Sequence, residues 1–212
     1  MSQDQSACGS IYHRRPIRID EKVEPFVVET YNPVKRGFDT VSFEKMWSAG
    51  KWMVLFFYPA DFTFVWPTEL ADLANQHEAL EALGVEVISV STDKVFSHLA
   101  WHNEERLMAN VKYQMAADPR GILSRFFGVY NRNDGTAMRG TFIINPVGIL
   151  VGSEISYHNI GRSGAELLRK VQAHIHLSVN PNEACPANWS PNATTLTPSE
   201  ALVGKVYEAL NK

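Results

Sequence analysis

Cysteine is scarce in this chain of 212 residues, which contains only Cys8 and Cys185. Two cysteines so far apart build no disulfide framework of the kind that supports small secreted proteins. They form no Cys-x-x-Cys pair either, which excludes a thioredoxin-type dithiol reductase. Cys8 falls in a polar N-terminal stretch, where we expect a bystander thiol rather than a catalytic one.

Long apolar runs and a strong excess of one charge are also lacking. The N-terminal stretch contains no apolar run long enough for a signal peptide or a membrane span, so we expect a cytoplasmic protein. The net charge of −3 argues against non-specific nucleic-acid binding, which depends on many Lys and Arg contacts to phosphate. Motifs for metal, nucleotide and haem are absent, and His174 and His176 would point to different faces of a helix. The sequence therefore predicts no cofactor.

What is present is an alternation of strand and helix patterns. The continuous apolar run from Trp52 to Tyr58 predicts a strand buried on both faces. A helix from Pro67 to about Leu83 and a strand from Val85 to Ser91 follow, which predicts a parallel pair with a right-handed crossover. Residues 139–145 and 149–156 predict an antiparallel hairpin around an Asn-Pro-Val-Gly turn. This pattern is typical of an α/β protein with a mixed central sheet and helices on both faces.

Capping signals predict the remaining helices. Thr92-Asp93 precedes one helix, and Asp118-Pro119 begins a short helix toward Phe127. Capping boxes at Ser163 and at Thr197 open two more. The first of these helices is expected to bury three apolar side chains at helical spacing, Leu168, Val171 and Ile175.

We expect three segments along the chain. Residues 1–21 form an N-terminal extension, and residues 22–178 form the α/β domain, which begins with strands between 24 and 43. Residues 179–212 form a C-terminal extension that carries Cys185 and the terminal helix. The extension resembles a linker between 179 and 192, where Pro and Asn are frequent.

The centre of the pattern is the corner between the first buried strand and its helix. Pro59 ends the strand because proline cannot donate to a sheet ladder, and Pro67 suits the first position of a helix. Glu69 lies in the first helical turn, where a carboxylate favours the positive end of the dipole. Such a corner collects free N–H groups and would shift a cysteine toward thiolate. The residue at this place is Trp66.

The segment FYPADFTFVWPTE around this corner resembles the active-site segment of the typical two-cysteine peroxiredoxins, the alkyl hydroperoxide reductase C group. Their pattern is Pro-x-x-x-Thr-x-x-Cys, and Pro59, Thr63 and position 66 match its spacing. The segment Glu183-Ala184-Cys185-Pro186-Ala187-Asn188-Trp189 is similar to the one around the family's resolving cysteine. Three further matches lie between them in the family's order, at His98-Leu99-Ala100-Trp101, Arg139-Gly140-Thr141-Phe142-Ile143-Ile144 and Gly161-Arg162-Ser163. The likeness covers about residues 22 to 195.

The resemblance implies a thioredoxin-like fold and a peroxidase that reduces hydrogen peroxide and organic hydroperoxides in antioxidant defence. It implies that Thr63 orients the peroxide, that Arg139 supplies positive charge and that Glu69 holds Arg139. Pro59 would shield the pocket, and Arg162 would belong to its outer network. Taken singly, Arg139 also fits a surface ion pair, and Thr63 also fits a local turn hydrogen bond.

The resemblance also implies partners. Cys185 would be the resolving cysteine, which forms a disulfide between subunits that a thioredoxin-like or flavoprotein reductase then reduces. Read alone, it also fits a free thiol packed by Pro186 and Trp189. Members of the family assemble as homodimers and as decamers of five dimers.

Trp66 is the departure from the family pattern. An indole has no ionisable thiol and cannot attack a peroxide, so we expect this chain to be inactive as a peroxidase. Its bulk either unwinds the first helical turn or adds contact area. A deliberate replacement of cysteine, a selenocysteine codon read as Trp and a naturally inactive paralogue all remain open. A second hypothesis for function is a catalytically dead oligomer that acts as a chaperone or scaffold.

Overall fold

The computed structural model describes residues 15–157 and 159–211. Cys8 and most of the expected N-terminal extension lie outside the described residues. The chain divides after Gly164 into two compact units. The segment boundaries expected from the sequence, at 21/22 and 178/179, stay predictions.

Within residues 15–157 and 159–164, the first unit contains seven strands and four α-helices. The strands are β1 (Val27–Asn32), β2 (Gly37–Ser42), β3 (Trp52–Phe57), β4 (Val85–Ser91), β5 (Gln114–Ala117), β6 (Arg139–Ile144) and β7 (Leu150–Ser156). The helices are α1 (Phe43–Ser48), α2 (Trp66–Ala82), α3 (Val95–Glu104) and α4 (Ile122–Phe126), with a 3-10 turn at Arg106–Asn110. The strands form one sheet in the order β2-β1-β5-β4-β3-β6-β7.

Strand β3 lies near the centre of this sheet. All six of its residues are buried, which confirms the prediction of a strand covered on both faces. It pairs with β4 in parallel and with β6 antiparallel, and β6 pairs antiparallel with β7, so the predicted parallel pair and hairpin are also confirmed. At the end of β3, Phe57 lies opposite Gly140 of β6. The register therefore brings Arg139, the first residue of β6, to the corner that follows β3.

One predicted cap is wrong, and one predicted helix begins later than expected. The N-cap of α3 is Lys94, with no side-chain cap bond, while the Asp93 carboxylate accepts from the Asp61 backbone and the Ser91 hydroxyl. Helix α4 begins at Ile122 rather than at Asp118-Pro119, after Gly121 in the left-handed region at φ 63°. Asp118 acts across this turn, because its carboxylate accepts three backbone N–H bonds from the start of α4, those of Ile122, Leu123 and Ser124. Tertiary contacts and a glycine turn therefore override the local signals.

The second unit consists mainly of α5 (Gly164–Val179) and the chain that follows it. Of the predicted apolar stripe, Val171 is buried while Leu168 and Ile175 are half-buried, and Leu167 is buried beside them. The terminal helix is present, but it begins later than the capping box at Thr197 predicts. A single 3-10 turn, Glu200–Leu202, lacks a side-chain cap and precedes a short α6 (Val206–Leu210). Across the described ranges, no helix combines the length and apolar character needed to cross a bilayer.

Candidate active site

The corner between β3 and α2 has the geometry that the sequence predicts. Helix α2 begins at Trp66, with Pro67 in its first turn and Val65 as the N-cap. Val65 provides no side-chain cap, Pro67 has no N–H, and the N–H of Thr68 donates to the carbonyl of Val65 at 3.1 Å. Because the helix includes Trp66, the first turn is intact. The structure therefore shows the bulky ring accommodated without unwinding.

Glu69 lies at the centre of a buried cluster. Its Oε2 accepts from Arg139 Nε at 3.3 Å, and its Oε1 accepts from the backbone N of Arg162 at 2.7 Å and from Arg162 Nε at 3.1 Å. Glu69 is 3% exposed and Arg139 is 1% exposed. One carboxylate thus faces two guanidinium groups in a place that water does not reach. The cluster carries an excess of positive charge.

Arg162 is held more completely than Arg139. Its Nη1 donates to the carbonyl of Gly140 and its Nη2 to that of Phe57, both at 2.9 Å. These bonds tie the chain at Arg162 to β3 and β6. Burial lowers the pKa of Arg162 from its usual value, and the Glu69 carboxylate opposes this shift. The role of Arg162 in an outer network of the pocket stays a prediction.

Trp66 lies directly against Arg139. The Cζ of Arg139 is 3.5 Å from the centroid of the indole ring, which is a cation–π contact. Both Nη atoms of Arg139 and the Nε1 of Trp66 are buried and have no hydrogen-bond partner among the residues that the structure describes. Two strong donors on a fixed positive charge therefore face residue 66 and are not used. An oxygen-bearing anion is the kind of group that would satisfy them.

Thr63 and Pro59 lie on the loop that leads to Trp66, and both are half-buried. The hydroxyl of Thr63 donates to the carbonyl of Ala60 at 3.1 Å, which is the local turn bond that the residue alone suggests. The structure thus joins Trp66, Glu69, Arg139 and Arg162 by direct contacts. It places Thr63 and Pro59 in the adjoining loop. The role of Thr63 toward a peroxide stays a prediction.

Three buried residues beside this loop escaped sequence reasoning. The Asp61 carboxylate accepts from the Tyr58 hydroxyl at 2.8 Å and shares a 2.8 Å hydrogen bond with His98 Nδ1. His98 is fully buried on α3. The sequence offered one signal, because His98 begins one of the matched segments and Asp61 lies inside another. Nothing local indicated that these two segments meet.

Cys185 lies in the second unit and is half-buried. Burial is the largest cause that raises the pKa of its thiol, and the carboxylate of Glu183 adds to it, while Arg169 acts in the opposite direction. Glu183 is itself bonded to His176, and Arg169 donates to the backbone carbonyl of Trp189. The segment on each side of the cysteine is therefore tied to α5. A thiol with a raised pKa is protonated at neutral pH and is therefore a weak nucleophile toward a peroxide. Such a thiol is better suited to react with a group that has already been oxidised.

The charges around Cys185 lead to a pair of opposite expectations. In a Cys8→Ser background, Glu183→Gln is expected to lower the pKa of Cys185 and to speed its alkylation by iodoacetamide at pH 8 roughly twofold. Arg169→Gln is expected to slow it by a similar factor, because it removes the cation that favours the thiolate. Alkylation rates measured from pH 6 to 10 report both effects. Rates that change in the same direction in both variants would mean that packing, and not charge, controls the thiol.

Comparisons with known proteins agree with this geometry. The profile of the AhpC/TSA family matches residues 19–153. The alkyl hydroperoxide reductase C of Salmonella typhimurium is 44% identical over 188 residues, which cover 89% of this chain and 98% of that protein. The protein of the same name from Staphylococcus aureus is 45% identical over the same coverage.

Solved structures agree as well. The crystal structure of Enterococcus faecalis AhpC superposes with a TM-score of 0.75 at 40% identity, covering 79% of this chain and 98% of that one. The reduced 2-Cys peroxiredoxin of Plasmodium vivax has a TM-score of 0.82 at 28% identity, covering 88% of this chain and 96% of that one. The thioredoxin-like fold expected from the sequence is therefore confirmed. From the buried Glu69–Arg139–Arg162 cluster, the matched segments and these relatives, we conclude that the chain belongs to the AhpC/TSA family, in the group of alkyl hydroperoxide reductase C and the 2-Cys peroxiredoxins.

Proposed function

We propose that this scaffold reduces hydrogen peroxide and organic hydroperoxides to water and alcohols in antioxidant defence, and that Trp66 makes this copy inactive. The observation that carries the proposal is the contact between Arg139 and residue 66 at the start of α2. A buried guanidinium with two unused Nη donors is suited to stabilise a thiolate and the oxyanion that leaves it. An indole in the same position offers no nucleophile.

The chemistry proposed for this position needs sulfur or selenium. A thiolate at residue 66 attacks one peroxide oxygen, the O–O bond breaks, and the alkoxide or hydroxide leaves with a proton as alcohol or water. The sulfur becomes a sulfenic acid, which the Cys185 thiol of the other subunit converts to a disulfide with loss of water. A thioredoxin-like or flavoprotein disulfide reductase then returns two electrons.

The proposed roles of the other residues follow the resemblance. Thr63 orients the peroxide, Pro59 shields it, Glu69 holds Arg139, and Arg162 supports Glu69 from the outer side. We further propose a homodimer that assembles to a decamer in the cytoplasm. Residues 22–178 would act as the peroxidase domain and residues 179–212 as the resolving tail. The hydrogen bonds from Arg139 and Arg162 to the Glu69 carboxylate support the roles proposed for Glu69 and Arg162.

Trp66 has three possible origins, and we rank a deliberate replacement of cysteine first. The surrounding cluster keeps the buried ion pairs of Glu69 with Arg139 and Arg162, which a long-inactive paralogue has no reason to keep. A selenocysteine codon read as Trp would preserve the same surroundings. Sequencing the source gene at codon 66 distinguishes these origins.

The test is hydrogen peroxide consumption with a thiol reductant, measured for the chain and for a Trp66→Cys variant. Activity that returns only in the variant supports the proposal. The scaffold or chaperone hypothesis has its own observation, because Phe62, Phe64 and Phe96 are exposed and Phe64 is 96% exposed. Peroxide consumption in neither protein, together with suppressed aggregation of a heated client, would favour that second function.

A further inference from the structure

Asp61 is the point at which the loop before α2 is attached to the protein interior. It lies midway between Pro59 and Thr63 and is 7% exposed. Its carboxylate bonds to Tyr58 and to His98, both at 2.8 Å. Its backbone N–H donates to Asp93 Oδ2 at 2.8 Å, and the hydroxyl of Ser91 donates to the same oxygen at 2.7 Å. The loop is thus fixed at its centre by three side chains, those of Tyr58, His98 and Asp93, and Ser91 holds Asp93 in turn.

The protons of this network can be counted. His98 Nε2 lies 3.2 Å from the carbonyl oxygen of Ala116, which can only accept, so Nε2 carries a hydrogen. The bond between His98 Nδ1 and Asp61 then contains one shared proton. The proton lies on Asp61 or on His98; burial is the largest cause that raises the pKa of Asp61, and the hydrogen bond to His98 opposes this shift. In either form the pair has no net charge, and every polar atom of it is bonded.

This anchor bears on the site through the chain itself. The carbonyl of Ala60, next to Asp61, accepts the hydroxyl of Thr63, so the orientation of Thr63 depends on where the backbone at Ala60 and Asp61 lies. Phe62, the residue between Asp61 and Thr63, has a left-handed backbone conformation at φ 56°, which is unusual for a phenylalanine. A conformation of this kind persists where the surroundings hold it. The bonds of Asp61 provide such a constraint.

We propose that Asp61, held by Tyr58 and His98, is a positioning residue that places Thr63 and Pro59 for the peroxide. The expected effect of Asp61 on the peroxidase rate rests on the proposed function. The expected effect of Asp61 on the loop conformation rests on the hydrogen bonds alone. His98 has no exposed surface, so it acts through Asp61 and not on the substrate. The same bonds also predict which replacement is tolerated. An asparagine can accept from Tyr58 and donate to a neutral His98, as a protonated aspartate does.

The rate test uses the Trp66→Cys background. Asp61→Ala is expected to lower kcat/KM for hydrogen peroxide by about 10- to 100-fold, since small displacements of positioning groups cost rates of this order. Asp61→Asn is expected to stay within about threefold of the parent. Asp118→Asn is the matched control, because Asp118 is also buried, at 5% exposed, and its carboxylate accepts from Ile122, Leu123 and Ser124 of α4. The backbone N–H of Asp118 donates to the carbonyl of Ser91, and the substitution leaves this bond unchanged. Equal rates for Asp61→Ala and the parent, or equal losses in both Asp61 variants, would overturn the proposal.

A second measurement is independent of peroxidase activity. In the unchanged Trp66 chain, Asp61→Ala is expected to reduce hydrogen-exchange protection of the Asp61 amide and its neighbours at least about tenfold, while protection in β4 is kept. Tyr58→Phe, which removes one hydroxyl and keeps the ring, serves if Asp61→Ala fails to fold, and it should give a smaller loss at the same amides. Unchanged protection there would contradict the anchor. If the Trp66→Cys variant has no peroxidase activity while protection falls as expected, the proposed function fails and the anchor stands.

Discussion

The Trp66→Cys variant is expected to consume hydrogen peroxide at least about a thousand times faster than the unchanged chain with the same reductant, since loss of a nucleophile costs factors of this size or more. The thiol would lie at the N-terminus of α2 and beside Arg139, and both features lower the pKa of a cysteine. Removing the indole also opens the space between residue 66 and the two free Nη groups of Arg139. A peroxide bound in this space would accept hydrogen bonds from the Nη groups of Arg139.

Two controls separate this result from a general change in packing. Trp66→Ser has nearly the same size as Trp66→Cys and lacks the thiol, so it should remain inactive. Trp66→Cys with Cys185→Ser should form the sulfenic acid but no disulfide between subunits, which non-reducing electrophoresis and a sulfenic acid reagent report. Activity of the serine variant, or no activity in Trp66→Cys, would contradict the assignment of residue 66.

Glu69→Gln is expected to destabilise the protein by about 3–5 kcal/mol, since removing one partner of a buried ion pair leaves an uncompensated charge. Here the charge left behind belongs to both Arg139 and Arg162, which are almost fully buried. The amide keeps an acceptor for one of them and loses the negative charge that both share. The urea midpoint should therefore fall by roughly 1–2 M.

The matched control is Glu166→Gln in the second unit. Glu166 also pairs with an arginine, Arg169 at 2.7 Å, but its side chain is 44% exposed. Exposed ion pairs contribute little, so we expect a loss of at most about 1 kcal/mol. Similar losses in the two variants would mean that the Glu69 cluster is more hydrated than its burial indicates.

Much of the fold followed from local patterns. The apolar run of β3 and the exact bounds of β4 were predicted because period and composition reflect burial residue by residue. The helix start beside Pro67 was also predicted from a local signal, because proline restricts its own backbone to a conformation that suits the first turn of a helix. The start of the terminal helix was predicted wrongly. A capping box there had no apolar face behind it that could stabilise a full helix.

The candidate site was predicted residue by residue, but mainly through the resemblance. Arg139, Glu69 and Arg162 carry no local signal that separates them from ordinary charged residues, and only their order in the matched segments singled them out. The network of Asp61 and His98 was missed because each residue alone suits a loop or a buried helix face. Asp93 was interpreted as a helix cap, although its carboxylate is used by Asp61.

The sequence by itself determined the buried strands β3 and β4, the helix that begins beside Pro67, and the lack of a nucleophile at residue 66. Only the tertiary structure decided that one carboxylate serves two arginines, and that the indole of Trp66 stacks on Arg139. The physical reason is distance along the chain. Backbone and side-chain preferences act over a few residues, whereas Glu69 meets Arg139 and Arg162 across 70 and 93 positions, which only the pairing of β3 with β6 and the packing of α2 bring together.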